Sequence, residues 1–398
     1  MGPIEHKNHI FPANWGLLPY VVIAIVLGIA CGMIFPAWLS RIFITFNGLF
    51  GQFLGFIIPL IILGLIAPGI AELGREAGKM LLTTVVLAYG FTLFAGFFAY
   101  GSAMLVYPYI LHPVTSLAAF EAPKELAVYF SLDIVPMFDV ITSLVLAFVL
   151  GLGMAFTGGE NLKKVMFDFR SIIYKVISKV IIPLLPIYIF GIFLNMTISG
   201  QVTSVLEAFA KIIVLLFILT LIMLLIQFSI ASAFVKKNPL KMLRTMLPAY
   251  FTALGTSSSA ATIPVTYKQV QALGVREGVA GFTVPLCANI HMSGSTIKIT
   301  ACAMAIVLMT GGQLDFWRFA GFICMLGFSI VAGPGVPGGA IMAALGVLQK
   351  MLGFNEQMLG LMIALYIAMD SFGTACNVTG DGASALVVDR LYGNRTRK

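Results

Sequence analysis

Asp370-Ser371-Phe372-Gly373-Thr374-Ala375-Cys376-Asn377-Val378-Thr379-Gly380-Asp381 places two carboxylates eleven residues apart inside a segment that is otherwise apolar enough to lie in a bilayer. Ionisable side chains at membrane depth are expensive, and they mark substrate or ion paths. Asn377, the threonines and the glycines between the carboxylates offer the oxygen ligands and local unwinding that a hard cation needs. The stretch points to cation-coupled transport.

The composition around it agrees. Of 398 residues, 60% are hydrophobic and 10% charged, and mean hydropathy is +1.01. Soluble domains carry about 25% charged residues, so this is an integral membrane protein. Its apolar runs exceed the roughly 20 residues of a spanning helix. No barrel-type alternation is present, so helices must satisfy the backbone, and an all-α membrane protein is expected. Residues 1–14 are polar and run into a full-length span, so no cleavable leader is expected. Cys31, Cys287, Cys302, Cys324 and Cys376 lie in apolar segments without metal-ligand spacing and read as small buried hydrophobes. The net charge of +8 reflects basic loops at the cytoplasmic face, and no nucleic-acid partner is expected.

Apolar segments fall at 15–37, 43–71, 79–107, 134–157, 173–198 and 207–235, and four more at 240–267, 276–311, 316–351 and 357–388. The segments 240–267 and 316–351 are interrupted midway by Ser or Gly/Pro runs. Irregular backbone at membrane depth is tolerated where it lines protein or a cavity, so both read as re-entrant hairpins. The expectation is eight transmembrane helices plus two re-entrant helical hairpins in the cytoplasmic membrane, with both termini cytoplasmic. Most of the 24 basic residues then lie inside, among them Lys163, Lys164, Arg170, Lys236, Lys237 and Arg390, as the positive-inside rule requires. Residues 1–235 read as a mainly scaffold half, some of whose spans join the other part. Residues 236–398 hold nearly all the polar residues at membrane depth and read as the transport core.

Three further stretches carry chemistry. Thr256-Ser257-Ser258-Ser259 sits between Gly255 and Pro264 and breaks a helix, presenting free N–H groups suited to a carboxylate. Val331-Ala332-Gly333-Pro334-Gly335-Val336-Pro337-Gly338-Gly339 leaves no regular helix and suits a gate with exposed carbonyls. Between them, His291-Met292-Ser293-Gly294-Ser295 reads as an unwound span, with His291 either a proton carrier or a packing residue. Lys298 in the same span needs a partner, and Asp370 or Asp381 is expected, with Asp139 as a third candidate.

In this order, the four stretches resemble the dicarboxylate/amino acid:cation symporter family, which includes bacterial and archaeal glutamate/aspartate transporters, excitatory amino acid transporters and neutral amino acid exchangers. The similarity covers nearly the whole chain and is most specific over residues 240–390. Thr256 to Pro264 looks like the family's serine-rich hairpin, Gly335-Val336-Pro337-Gly338 like its second hairpin, and Asn377-Val378-Thr379-Gly380-Asp381 like its last-span signature. The resemblance implies an elevator-type transporter fold, a homotrimer held by the scaffold, and an outer gate at the second hairpin. It implies that Asp370 receives the substrate's amino group. Ser258, Ser259, Ser295, Val336, Gly339, Gly373, Thr374 and Asn377 complete the substrate set. Sodium would be held by Asp381 with the Asn377 carbonyl, and a second sodium by carbonyls around Ala332 and Gly333 with those near Asn289. No cofactor other than the coupling ion is implied.

Three departures shape the functional reading. The arginine that acidic-substrate members carry three residues after Asp370 is Gly373 here, which removes a bidentate carboxylate partner and leaves room for a larger side chain. The family's Asn-Met-Asp-Gly-Thr motif is His291-Met292-Ser293-Gly294-Ser295, which weakens a third cation site and puts His291 among the candidate ligands. Lys298 is the third, and either its ammonium or a proton on His291 is a candidate to replace one coupling cation. The expected activity is symport of a small neutral amino acid with sodium, with or without a proton. Symport of an acidic amino acid or C4-dicarboxylate, using Lys298 as the anion partner, stands as the alternative, and a substrate-gated channel or sensor as another. An enzyme is not expected, because no nucleophile–base pair or nucleotide loop appears.

Overall fold

The structure is a computed structural model that describes residues 17–73, 79–111, 126–157, 159–200, 202–331 and 338–393. Every regular element among them is helical. The order is α1 (Leu17–Ile34), α2 (Ala37–Leu73), α3 (Lys79–Ile110), α4 (Val140–Thr157), α5 (Glu160–Val176), α6 (Ile182–Ile198), α7 (Val202–Val235) and α8 (Pro239–Thr256). Then come α9 (Ser259–Ala272), α10 (Glu277–Ile290), α11 (Ser293–Met309), α12 (Phe316–Val331), α13 (Gly339–Leu352), α14 (Glu356–Ala368) and α15 (Asp370–Gly393). Helices bond their own N–H and C=O groups internally, which is what a chain this apolar needs in lipid.

Six helical stretches are long and apolar enough to cross a membrane: Leu17–Ile34, Ala37–Ala71, Met80–Ile110, Glu160–Ile198, Val202–Val235 and Glu277–Met309. The pair Glu356–Ala368 and Asp370–Leu391, bent by 60°, makes a seventh if it is one span. Val145–Thr157, Phe316–Val331 and Gly339–Leu352 are apolar but shorter. The chain is a multi-pass membrane protein.

Three boundaries differ from the sequence expectation. The fourth helix starts at Val140 rather than 134, because Pro136 disfavours helix in the residue before it and Asp139 turns out to meet Lys350 at 2.8 Å. The fifth starts at Glu160 rather than 173. Its first part carries Lys163, Lys164, Asp168 and Arg170, so hydropathy alone passes over it. A π-helical turn, Ile177–Ile181, joins α5 to α6 just ahead of Pro183 and Pro186, which lack the N–H donors of a regular ladder. The span at 357–388 is broken at Met369, so that Asp370 opens α15 where the helix dipole favours an acid.

Two groups of helices emerge from the packing. α1 lies on α6, and α2 lies on α4, α5 and α6. α15 is the centre of the other group and touches α7, α8, α9, α10, α11 and α3. From Asp370 to Val388 it is buried except at Ser371 and Phe372. α8 packs on α9, and α12 on α13, so both interrupted segments fold into helix pairs. The first pair turns at Ser257, a non-glycine residue at φ +49°, followed by extended Ser258.

Close helix approach in lipid relies on small residues. A Cβ on Gly28 of α1 would lie 2.6 Å from the Phe190 carbonyl oxygen of α6. Gly28→Val is therefore expected to destabilise the protein by about 1–3 kcal/mol, seen as a lower melting temperature in detergent. Unchanged melting would show that this seam does not hold α1.

Candidate functional site

The site is built where α15 crosses the break between α10 and α11. His291 and Met292 are non-helical, and the Met292 N–H donates to Thr92 Oγ1 of α3 at 3.1 Å. The freed N–H groups that open α11 point at α15. Asn377 Oδ1 accepts from Gly294 N at 2.7 Å and from Ser295 N at 3.4 Å, and Asn377 Nδ2 donates to Ser295 Oγ at 3.1 Å. One buried amide thus closes a helix end that would otherwise hold unsatisfied donors.

One turn further along α11, Lys298 Nζ donates to Asp370 Oδ1 at 3.1 Å and lies 3.8 Å from the centre of the Tyr366 ring. Lys298 is fully buried, and Asp370 is 6% exposed. Of the partners expected from sequence, Asp370 is the one that pairs. Asp370 Oδ2 accepts from Gly338 N at 2.8 Å. That N–H belongs to the N-cap of α13, where φ is +76°, a conformation natural to glycine. Tyr366 OH and Ser295 Oγ are 3.3 Å apart, which connects the ion pair to the Asn377 amide.

Gly373 corrects the sequence reading. A Cβ there would overlap Lys298 Cε and lie 2.5 Å from its Nζ. The room expected for a larger side chain is filled by the lysine.

A second cluster surrounds Asp381. His291 Nδ1 is 2.9 Å from Asp381 Oδ1 and 3.1 Å from the Asn377 carbonyl oxygen. Both oxygens only accept, so Nδ1 carries the hydrogen. Nε2 faces Ser293 Oγ at 2.8 Å and Gln227 Nε2 at 3.0 Å, and Gln227 Nε2 also donates to Ser293 Oγ at 3.0 Å. A Cβ on Gly380 would overlap Gln227 Oε1 and lie 2.5 Å from His291 Cε1. Asp381 and the Asn377 carbonyl are the oxygens that the resemblance gives to a sodium ion. Here both face an imidazole N–H, and in this arrangement the pair does not fit an ion. Among the described residues, no group of three or more His, Cys, Asp or Glu side chains is placed to hold a metal.

The remaining candidates divide. Ser258 caps α9, accepting from Ala261 N at 3.3 Å, and its neighbour Ser257 meets Ser371 at 2.7 Å between hydroxyls, which brings the first tip beside the start of α15. Ser259, Gly339 and Thr374 are buried. The Asn289 side chain is exposed and returns to its own helix at Pro285 O, 3.0 Å away. Ala332, Gly333 and Val336 lie outside the described residues. Gln227, Tyr366 and Thr92 were not anticipated. Gln227 had a signal, an amide in the middle of the apolar run of α7.

The chain matches the Sodium:dicarboxylate symporter family over residues 17–391 and belongs to it. It is 27% identical over 408 residues to the serine/threonine transporter SstT of Acinetobacter baumannii (strain AYE), covering 95% of this chain and 98% of that protein. It is 26% identical over 395 residues to SstT of Streptococcus thermophilus, covering 94% and 96%. It is also 27% identical over 254 residues to human excitatory amino acid transporter 2, covering 62% of this chain and 44% of that protein.

Gly373 and Lys298 should behave as one unit in a double-mutant cycle. Gly373→Ala is expected to cost about 1–3 kcal/mol by displacing the lysine, and Lys298→Ala about 3–5 kcal/mol by leaving Asp370 buried without its partner. In the Lys298→Ala background, Gly373→Ala should add almost nothing. Additive losses in thermal melting would mean that the two side chains do not compete for one space.

Proposed function

We propose, from membership of this family, that the protein is a secondary active symporter of a small neutral amino acid, driven by a cation gradient. The observation that carries this reading is the buried Lys298–Asp370 pair. A site holding one cation and one anion matches a zwitterion, whose ammonium suits Asp370 and whose carboxylate suits Lys298. Gly373 in place of an arginine removes the fork that would select a second carboxylate. The names of the serine/threonine transporters similar to this chain point to the same substrate class. Sodium is the coupling ion that the family name carries. A proton gradient is the alternative drive.

The architecture that goes with this function is eight spans and two re-entrant hairpins in the cytoplasmic membrane, both termini inside, working as an elevator within a homotrimer. Residues 1–235 would supply mainly the scaffold, and 236–398 the transport core. α3 and α7 would move with the core, which their packing on α11 and α15 supports. Ser258, Ser259, Ser295, Val336, Gly339, Thr374 and Asn377 would surround the substrate. Carbonyls around Asn289, Ala332 and Gly333 would serve a gate-closing cation. A second reading, symport of an acidic amino acid or C4-dicarboxylate, is favoured by the single fact that Lys298 is a buried cation at the site.

Uptake into proteoliposomes with a panel of amino acids and dicarboxylates, under imposed sodium and proton gradients in turn, separates the readings. The expected result is cation-driven uptake of serine, alanine or threonine that excess aspartate does not inhibit. Asp370→Asn should lower that uptake by roughly 10- to 100-fold, the worth of about 1.5–3 kcal/mol for a hydrogen bond to a charged group. Uptake of aspartate or succinate would overturn the neutral reading in favour of the second.

A further inference from the structure

We propose that Lys298 is a tethered counter-ion that replaces the substrate's ammonium on Asp370 when the site is empty, so that the empty carrier returns without a second cation. The inference rests on the neutral amino acid reading above.

Both Asp370 oxygens are bonded from within the chain. Oδ1 takes the Lys298 ammonium at 3.1 Å, and Oδ2 takes the Gly338 N–H at 2.8 Å. An unpaired carboxylate this deeply buried would resist passage through lipid. The lysine removes that obstacle from within the chain. The same carboxylate also accepts from the N-cap of α13, so one side chain joins the lysine of α11 to the start of α13.

The lysine is placed to let go as well. It comes from α11, across from the α15 helix that carries Asp370, on a flexible stem. Its ammonium already lies against the Tyr366 ring, which can keep it when Asp370 is taken. An arriving zwitterion would put its ammonium on Asp370 and offer its carboxylate to Lys298. The site then sums to zero charge both loaded and empty. In this position the end of Lys298 occupies the space that a side chain at residue 373 would enter.

The test compares two transport modes in full-length protein reconstituted in vesicles, with serine as the probe. Net uptake into serine-free vesicles requires the empty carrier to return, whereas exchange against internal serine does not. In wild-type protein, net uptake should be the same with internal potassium, sodium or choline. In Lys298→Met, the ratio of net uptake to exchange should fall at least tenfold, and internal methylammonium should raise it again by supplying a free ammonium to Asp370. Gly373→Ala, which displaces the lysine and leaves its charge, should lower the ratio in the same direction. A role in folding alone would reduce both modes together and would not respond to methylammonium. A wild-type ratio in Lys298→Met overturns the proposal. So does a wild-type protein whose net uptake needs internal potassium, a result that holds even if the variants do not fold. Wild-type protein that exchanges no neutral amino acid overturns this proposal and the function on which it rests, whereas intact serine exchange with a ratio indifferent to Lys298 overturns this proposal alone.

Discussion

A lysine without exposed surface, held between a carboxylate and the face of a tyrosine ring, constrains the polar half of this molecule. An unpaired ammonium in such surroundings would be destabilising by several kcal/mol. Its neighbours are therefore not free to vary independently. Asp370 stands at the start of α15, Tyr366 lies on α14 just before the bend, and glycine at 373 leaves the space that the lysine's end fills. From Asp370 the constraint passes to the N-cap of α13, and from Tyr366 through Ser295 to Asn377. The 60° bend at Met369 is what lets α14 and α15 present Tyr366 and Asp370 to the same ammonium.

α15 repeats one device along a single face. Gly373 and Gly380 are seven residues apart, two turns of helix, and so lie on the same side. Each leaves a hollow against the α10–α11 break. Lys298 fills the first, and His291 with Gln227 fills the second. Asn377 lies between them and closes the buried helix end at Gly294 and Ser295. In both hollows a basic side chain from the broken span meets a carboxylate of α15: Lys298 with Asp370, and His291 with Asp381. The two anions that make the 370–381 stretch so conspicuous in sequence are each answered from the same neighbouring segment.

Much of this is legible in the sequence. Charge and hydroxyl density in an apolar surround identify residues 370–381, 256–259 and 291–298, because polar groups in lipid are too expensive to be incidental. The choice between Asp370, Asp381 and Asp139 as the partner of Lys298 was not legible, since it depends on where α11 crosses α15. Nor was the filling of the Gly373 hollow. In a sequence, a glycine in place of an arginine reads as vacant space, and only packing shows that another side chain occupies it. Tyr366 gave no signal because tyrosine is ordinary in an apolar helix, whereas Gln227 gave one that composition could have flagged. The start of α5 was hidden for the opposite reason. Its charged face lowers its hydropathy although it is continuous, through a π-helical turn, with a spanning helix.

The origin of the cation matters as much as its presence. An arginine at position 373 would project from the same helix as Asp370, and its planar fork would hold a carboxylate in one fixed geometry. A lysine from α11 reaches across the site instead and bonds the anion on α15 directly. It is a compact charge on a flexible stem, without the fork's directional preference. Moving the positive charge from one wall to the other therefore changes its relation to the carboxylate from neighbour to partner. A ligand that needs Asp370 must compete with a tethered rival already at bonding distance, and a ligand that offers its own anion in return makes that competition easier. A zwitterion does both, a simple amine does only the first, and a simple carboxylate does only the second. On this physical ground the pair at Lys298 and Asp370, rather than either charge by itself, is what would favour a substrate carrying both signs, as the proposed function requires.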